Sequence, residues 1–208
     1  MDGVLISSIG SVVRCWRRWA HIYGVPDAEN YNVPHGKRAI DIVKMLRPDI
    51  DPNEGLKVIE DMEIEDTADL TVLPGVPDLL AALPPDRWAI VTSATHRLLL
   101  GRLAAAGLPV PQRIISADMV ERGKPDPEPY RRGAELLGFA PGQCLVVEDA
   151  PSGVGAGLAA GAPVLGVLGT HTAAELAHAT WITPSLAEVR VTVTPQGIEL
   201  RFPLVDRN

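Results

Sequence analysis

Cysteine is scarce in these 208 residues. Cys15 and Cys144 are the only two, and Cys144 lies in the apolar run Cys-Leu-Val-Val, so a disulfide scaffold is excluded and a reducing cytoplasm is expected. Positive charge is also short: 19 Lys and Arg against 26 Asp and Glu leave a net charge of −7. A polyanion binder carries the opposite balance, so nucleic acid is not an expected partner, and any phosphate must be met by a few local positive groups. No apolar run approaches the ~18 residues of a membrane span, which removes a membrane from the expected partners. Internal repeats and low-complexity stretches are absent. The length allows one domain or a domain with an insert. Gly and Pro, at 19 each, are plentiful and predict many tight turns.

From Gly10 to about Leu73 the pattern is helical. Val12, Trp16, Trp19 and Tyr23 recur at helical spacing and predict one apolar face, with the neighbouring arginines largely opposite. A basic helix with aromatics also suits nucleic-acid or membrane contact, but in so acidic a chain it reads as a small-domain core with a solvated face. Ile40, Val43 and Leu46 mark a second helix, stopped by Pro48. Asp51-Pro52-Asn53-Glu54 then has the form of a helix start, with Asp51 as N-cap and proline at the first helical position. Ser7, Ser8 and Ser11 followed by Arg14, Arg17 and Arg18 have the composition of a transit segment, but the acidic motif at Asp2 is better explained by chemistry.

After Pro74-Gly75 short apolar runs alternate with helical segments. Residues 88–91, 113–115, 144–147 and 164–167 predict strands; His96 to Ala106, Pro127 to Leu137, Gly153 to Ala160 and Thr172 to His178 predict helices. Such alternation implies an α/β fold, a Rossmann-like doubly wound parallel sheet. Residues 189–202 alternate at period two around Pro195-Gln196-Gly197 and predict an antiparallel hairpin.

In an open parallel sheet, ligands bind beyond the carboxyl ends of the strands. Thr92 and Ser93 follow one predicted strand, Glu148 and Asp149 follow another, Lys124 lies in Gly123-Lys124-Pro125 after a third, and Asp2 precedes Gly3-Val4-Leu5. Hydroxyls for phosphoryl oxygens, a lysine to neutralise charge and paired carboxylates for a hard cation form a set suited to phosphoryl chemistry. Each piece alone is common turn or cap chemistry; the set gains weight from its order at successive strand ends. Cys144 starts a strand with no histidine nearby in sequence and reads as a core residue, and His35 and His171 lack metal-ligand spacing. Gly155-Ala156-Gly157-Leu158-Ala159-Ala160 matches a dinucleotide fingerprint, but Glu148 to Pro151 intervene after the strand. The small residues therefore read as letting a helix approach the sheet.

In order along the chain, Asp2-Gly3-Val4-Leu5, Thr92, Lys124 within Gly-Lys-Pro-Asp-Pro-Glu-Pro-Tyr, and Glu148-Asp149 resemble the four motifs of the haloacid dehalogenase superfamily. Residues 1–10 and 74–208 then resemble its core, and 11–73 its inserted α-helical cap. Residues 1–8, His35-Gly36-Lys37-Arg38, residues 88–93 and the C-terminal hairpin are similar to the glycerol-phosphate and 2-deoxyglucose-6-phosphate phosphatases. The resemblance implies small phosphorylated sugars or polyols as substrates.

It also implies a mechanism: in-line attack by an aspartate on phosphorus, giving an aspartyl-phosphate that water hydrolyses. Asp2 is then the general acid and base, Thr92 and Lys124 hold the transferring oxygens with Ser93 beside them, and Mg²⁺ is held by Asp2, Glu148 and Asp149. Lys37 and Arg38 become substrate contacts of the cap. The attacking aspartate of the family stands two residues before Asp2, a place no residue of this sequence fills, and Val4 prevents Asp2 from taking that role. The expectation is a reading frame that begins upstream with an apolar strand ending in Asp, and a 208-residue chain that is poorly stable and inactive without it. Two alternatives remain: a non-catalytic, phosphate-ligand-binding regulatory protein, and a phosphosugar mutase on the same scaffold.

Overall fold

The computed structural model describes residues 1–205. Its first third is helical: α1 (Ile9–Ile22), α2 (Ala39–Leu46) and α3 (Pro52–Glu65) share one apolar cluster built on Trp16, Trp19, Val43 and Ile59. Trp16 and Trp19 are the inward face expected from their spacing, 2% and 0% exposed. Trp19 donates its indole N–H to the Gly55 carbonyl at 2.9 Å, which satisfies the polar end of a ring otherwise buried in hydrocarbon. Asp51 caps α3 by accepting from the Asn53 amide at 2.8 Å, with Pro52 in the first turn.

Strand β1 (Ile6–Ser7) precedes these helices and pairs antiparallel with β2 (Thr71–Val72), so the helical segment leaves and returns at one point. There follow α4 (Val76–Ala82), β3 (Ile90–Val91), α5 (His96–Ala106), β4 (Ile114–Ile115), α6 (Glu128–Leu137), β5 (Val146–Glu148), α7 (Pro151–Ala160), β6 (Val164–Val167), β7 (Trp181–Thr183) and the hairpin β8 (Arg190–Thr194) and β9 (Gly197–Arg201). Parallel pairing joins β3 to β4, β5 to β6 and β6 to β7. Helix α6 packs on β3 and β4, and α7 on β5 and β6. The fold is α/β with parallel strands, as the alternation predicts.

Two segments near the end of the chain differ from the sequence expectation. Residues 172–178 form turns instead of a helix; Leu176 and Ala179 are buried in the apolar cluster around β5 and β6, but a segment this short repays little of the cost of helix nucleation. Strand β7 was not foreseen, because three residues before Pro184 carry no readable period. Among the described residues the parallel strands pair as β3 with β4 and as β5-β6-β7.

Between those sheets lies an apolar cleft of about 950 Å³, with Ile90 and Val91 on one wall, Val146 and Val147 on the other, and Met1, Val4 and Leu5 beside them. Among the described residues β3 has only β4 as a ladder partner on either side, and β5 has only β6. Both strands thus meet the cleft without a neighbour to receive their backbone groups. No described helix is long and apolar enough to cross a membrane.

Candidate active site

A smaller cleft of about 120 Å³ lies where the helical segment meets the ends of β3 and β5. It is lined by Asp2, Lys37, Thr92, Ser93, Lys124, Glu148 and Asp149, seven of the eight residues expected at the site. Arg38 does not line it. Its guanidinium is held by Asp41, at 2.7 Å and 3.0 Å, and by the Val120 carbonyl at 3.0 Å.

Thr92 stands directly after β3, buried, with its amide bonded to the Ile115 carbonyl at 2.9 Å and its Oγ1 accepting from the Ala94 amide at 3.1 Å. The strand ladder therefore fixes its backbone and the following turn fixes its hydroxyl. Ser93 Oγ donates to the Gly36 carbonyl at 2.7 Å, tying the loop before α2 to the end of β3.

Lys124 is 8% exposed and Glu148 5%. The ammonium donates to Glu148 Oε1, to the Val91 carbonyl at 3.3 Å, and lies 4.8 Å from the centre of the Tyr130 ring. Tyr130 donates its hydroxyl to the same Glu148 oxygen, while Oε2 accepts from the amides of Asp149 at 3.1 Å and Ala150 at 3.4 Å. Burial opposes ionisation of Glu148, but Lys124 and these hydrogen bonds outweigh it and hold the carboxyl below its ordinary range. Gly153 permits this packing, since a Cβ there would stand 2.0 Å from Glu148 Cδ.

Asp149 is placed differently. Burial first, and then the adjacent Glu148 charge, push its carboxyl up to about 6, with a Thr170 hydrogen bond opposing. Gly3, with φ +71°, runs its backbone against this carboxylate: a Cβ there would lie 1.9 Å from Asp149 Oδ2. No group of three or more His, Cys, Asp or Glu side chains with metal-ligand geometry occurs among the described residues. A buried carboxylate that resists ionisation, set against backbone, nevertheless suits a hard cation that takes carboxylate and carbonyl oxygens together. Asp149 fits that role, whereas Glu148 is committed to Lys124 and Tyr130.

Asp2 accepts from Ser8 Oγ at 2.9 Å, and its Oδ1 lies 2.6 Å from Arg102 Nη1. Burial opposes its ionisation, but the Arg102 charge and the Ser8 bond prevail and hold it below the ordinary range. Arg102, on α5, also reaches Glu63 of α3 at 3.2 Å, and both side chains are almost sealed, 5% and 6% exposed. Trp16, Glu60, Glu63 and Arg102 line this cleft although sequence reasoning did not select them. Their signal was available: Glu60, Glu63 and Arg102 occupy positions on apolar helix faces, beside Ile59 and between Leu99 and Leu103. Cys144, expected to start a strand, lies instead after a short turn two residues before β5; it is half-buried, and burial pushes its thiol up, away from nucleophilic use. Gly157 meets Val164 Cγ2 at 2.7 Å from its would-be Cβ, which is the close helix-to-sheet approach read from the glycine run.

The pattern of the haloacid dehalogenase-like hydrolases matches residues 1–161. The chain is 38% identical over 205 residues to hexitol phosphatase A of Escherichia coli (strain K12), a match covering 95% of this chain and 94% of that protein. It is 32% identical over 182 residues to glycerol-1-phosphate phosphohydrolase 2 of Saccharomyces cerevisiae, over 82% of this chain and 73% of that one. Among solved structures, CbbY from Rhodobacter sphaeroides in complex with phosphate superimposes with a TM-score of 0.76. That match covers 90% of this chain and 92% of that one at 21% identity, a likeness of fold.

Proposed function

This chain belongs to the haloacid dehalogenase-like hydrolase family, and on that premise we propose that it is a Mg²⁺-dependent phosphatase of small sugar or polyol phosphates, with residues 11–73 as its cap. The observation that carries the reading is the gathering of Asp2, Thr92, Lys124 and Asp149 around one small cleft, each from a different turn or strand end. Thr92 Oγ1 and the Lys124 ammonium bind phosphoryl oxygens. Lys124 can do so because Glu148 and Tyr130 anchor it without removing all three of its N–H groups. Asp2, which Arg102 and Ser8 hold ionised and fixed in orientation, is the base that takes a proton from the attacking water and, once protonated, the acid that returns it to an alcohol oxygen.

Asp149 and the Asp2 carbonyl are the groups that would hold Mg²⁺, which when bound supplies charge neutralisation for the phosphoryl oxygens. By the family resemblance, the attacking group is an aspartate, and the reaction passes through an aspartyl-phosphate that water hydrolyses. A second reading, a phosphate-ligand-binding protein without turnover, is favoured by the apolar cleft between β3 and β5, where both strands lack a further ladder partner among the described residues. The cytoplasm is the expected compartment. Phosphate release from a panel of hexitol, glycerol and aldose phosphates, with and without Mg²⁺, tests the reading; release without a Mg²⁺ requirement, or from none of them, would refute it.

A further inference from the structure

Beyond the phosphate, the cleft contains a donor and an acceptor with unused capacity. Arg102 sends Nη1 to Asp2 at 2.6 Å and places Nη2 3.2 Å from Glu63 Oε2. The Nη2 group is nonetheless without a hydrogen-bond partner among the described residues, in a side chain 5% exposed. A buried N–H left unmet is costly and rare. Glu63, 6% exposed, lines the same cleft, and no described hydrogen bond apart from the Arg102 contact and that of the Trp16 side chain engages its carboxylate there. The neighbouring Glu60 is not comparable, because Thr95 and Arg97 occupy its oxygens.

We propose that Arg102 and Glu63 together bind the substrate hydroxyl on the carbon next to the phosphorylated one, and so select open-chain polyol phosphates over cyclic sugar phosphates. A hydroxyl seated there accepts from Arg102 Nη2 and donates to Glu63, which satisfies both protein groups at once. Its place is set by the fork of the guanidinium. One nitrogen holds Asp2, the group assigned to the ester oxygen, so the other addresses the next oxygen along the carbon chain. A pyranose 6-phosphate puts its ring ether oxygen at that place. An ether can accept from Arg102 but has no proton for Glu63, and a buried carboxylate facing it is left unpaired.

This inference rests on the phosphatase reading for the position of the ester oxygen, and its test separates the two. Dissociation constants are measured by calorimetry on the full chain at pH 8 with Mg²⁺, using glycerol-1-phosphate, 3-hydroxypropyl phosphate, glucose-6-phosphate and inorganic phosphate. The 3-hydroxypropyl ester has no hydroxyl on the second carbon. Glycerol-1-phosphate should bind about tenfold or more tightly than either of the other esters, and Glu63→Gln should reduce that ratio to about threefold or less. Inorganic phosphate that binds while the three esters bind alike overturns the inference and leaves the phosphatase reading standing. A ratio that survives Glu63→Gln also overturns it. Failure of inorganic phosphate to bind removes the phosphatase reading and this inference with it. The wild-type ratios decide the matter even where the variant does not fold.

Discussion

Lys124 and Glu148 form an ion pair with both side chains almost excluded from water, 5% and 6% exposed. Paired in this way, Glu148 anchors the lysine proposed to bind phosphate and leaves Asp149 as the carboxylate proposed to bind a cation. Two adjacent acids that look interchangeable in sequence thus divide into a positioning residue and a candidate ligand.

Glu148→Gln leaves the Lys124 charge buried without a counter-ion, a change that costs ~3–5 kcal/mol. A fall in melting temperature of roughly 10 °C is expected by calorimetry, and with it weaker phosphate binding. A melting temperature within a degree or two of the wild type would mean that water reaches the pair.

Asp149→Asn removes the full charge from the carboxylate that backbone and burial hold against the Gly3 turn. Mg²⁺ titration should show at least a tenfold loss of affinity, with little loss of stability, since the neutral side chain relieves repulsion from Glu148. Unchanged Mg²⁺ affinity would remove Asp149 from the ligand set.

Stability should depend on pH through Glu63. Burial raises its pKa, Arg102 and Trp16 oppose, Asp2 and Glu60 add to the rise, and the net result is about 7 against an unfolded value of 4.5. A carboxyl whose folded pKa is raised binds its proton more tightly when folded. Its contribution is therefore fully present below pH 4.5 and is lost as pH climbs through about 7. Melting temperatures across that window should fall for the wild type relative to Glu63→Gln. Parallel curves would show that Glu63 ionises normally.

Arg38 and Lys37 should behave as opposites. Arg38 is bound to Asp41 and to the Val120 carbonyl, so Arg38→Ala loses about 1–2 kcal/mol of stability and affects all substrates alike. Lys37 is exposed at the cleft, so Lys37→Ala should raise KM, and by different factors for different phosphate esters, with stability unchanged. Steady-state kinetics beside thermal melts distinguish the two patterns, and a substrate-dependent KM change in Arg38→Ala would restore it as a substrate contact.

Much of this organisation is legible in the chain because local signals and burial agree. Residues 96–106 and 164–167 fall where sequence places them: Thr95 caps the helix and Gly107 ends it, while the strand is a continuous apolar run with both faces covered. The site residues at strand ends are legible for the same reason, since the topology of a parallel sheet concentrates polar groups there. Glu63 and Arg102 are legible only in part: their places on apolar helix faces mark them as buried, but which groups they meet depends on the opposing helix. The order in which the parallel strands pair is likewise a property of strand neighbours, which no single strand's sequence encodes.

Phosphate release from hexitol and glycerol phosphates tests the central claim most directly. It should be measured with Mg²⁺ and after Mg²⁺ is removed by chelation, for the wild type and for Asp149→Asn. The account predicts release that needs Mg²⁺ and that falls at least about tenfold in Asp149→Asn. Release of equal rate with and without Mg²⁺, or release that Asp149→Asn leaves unchanged, would contradict it.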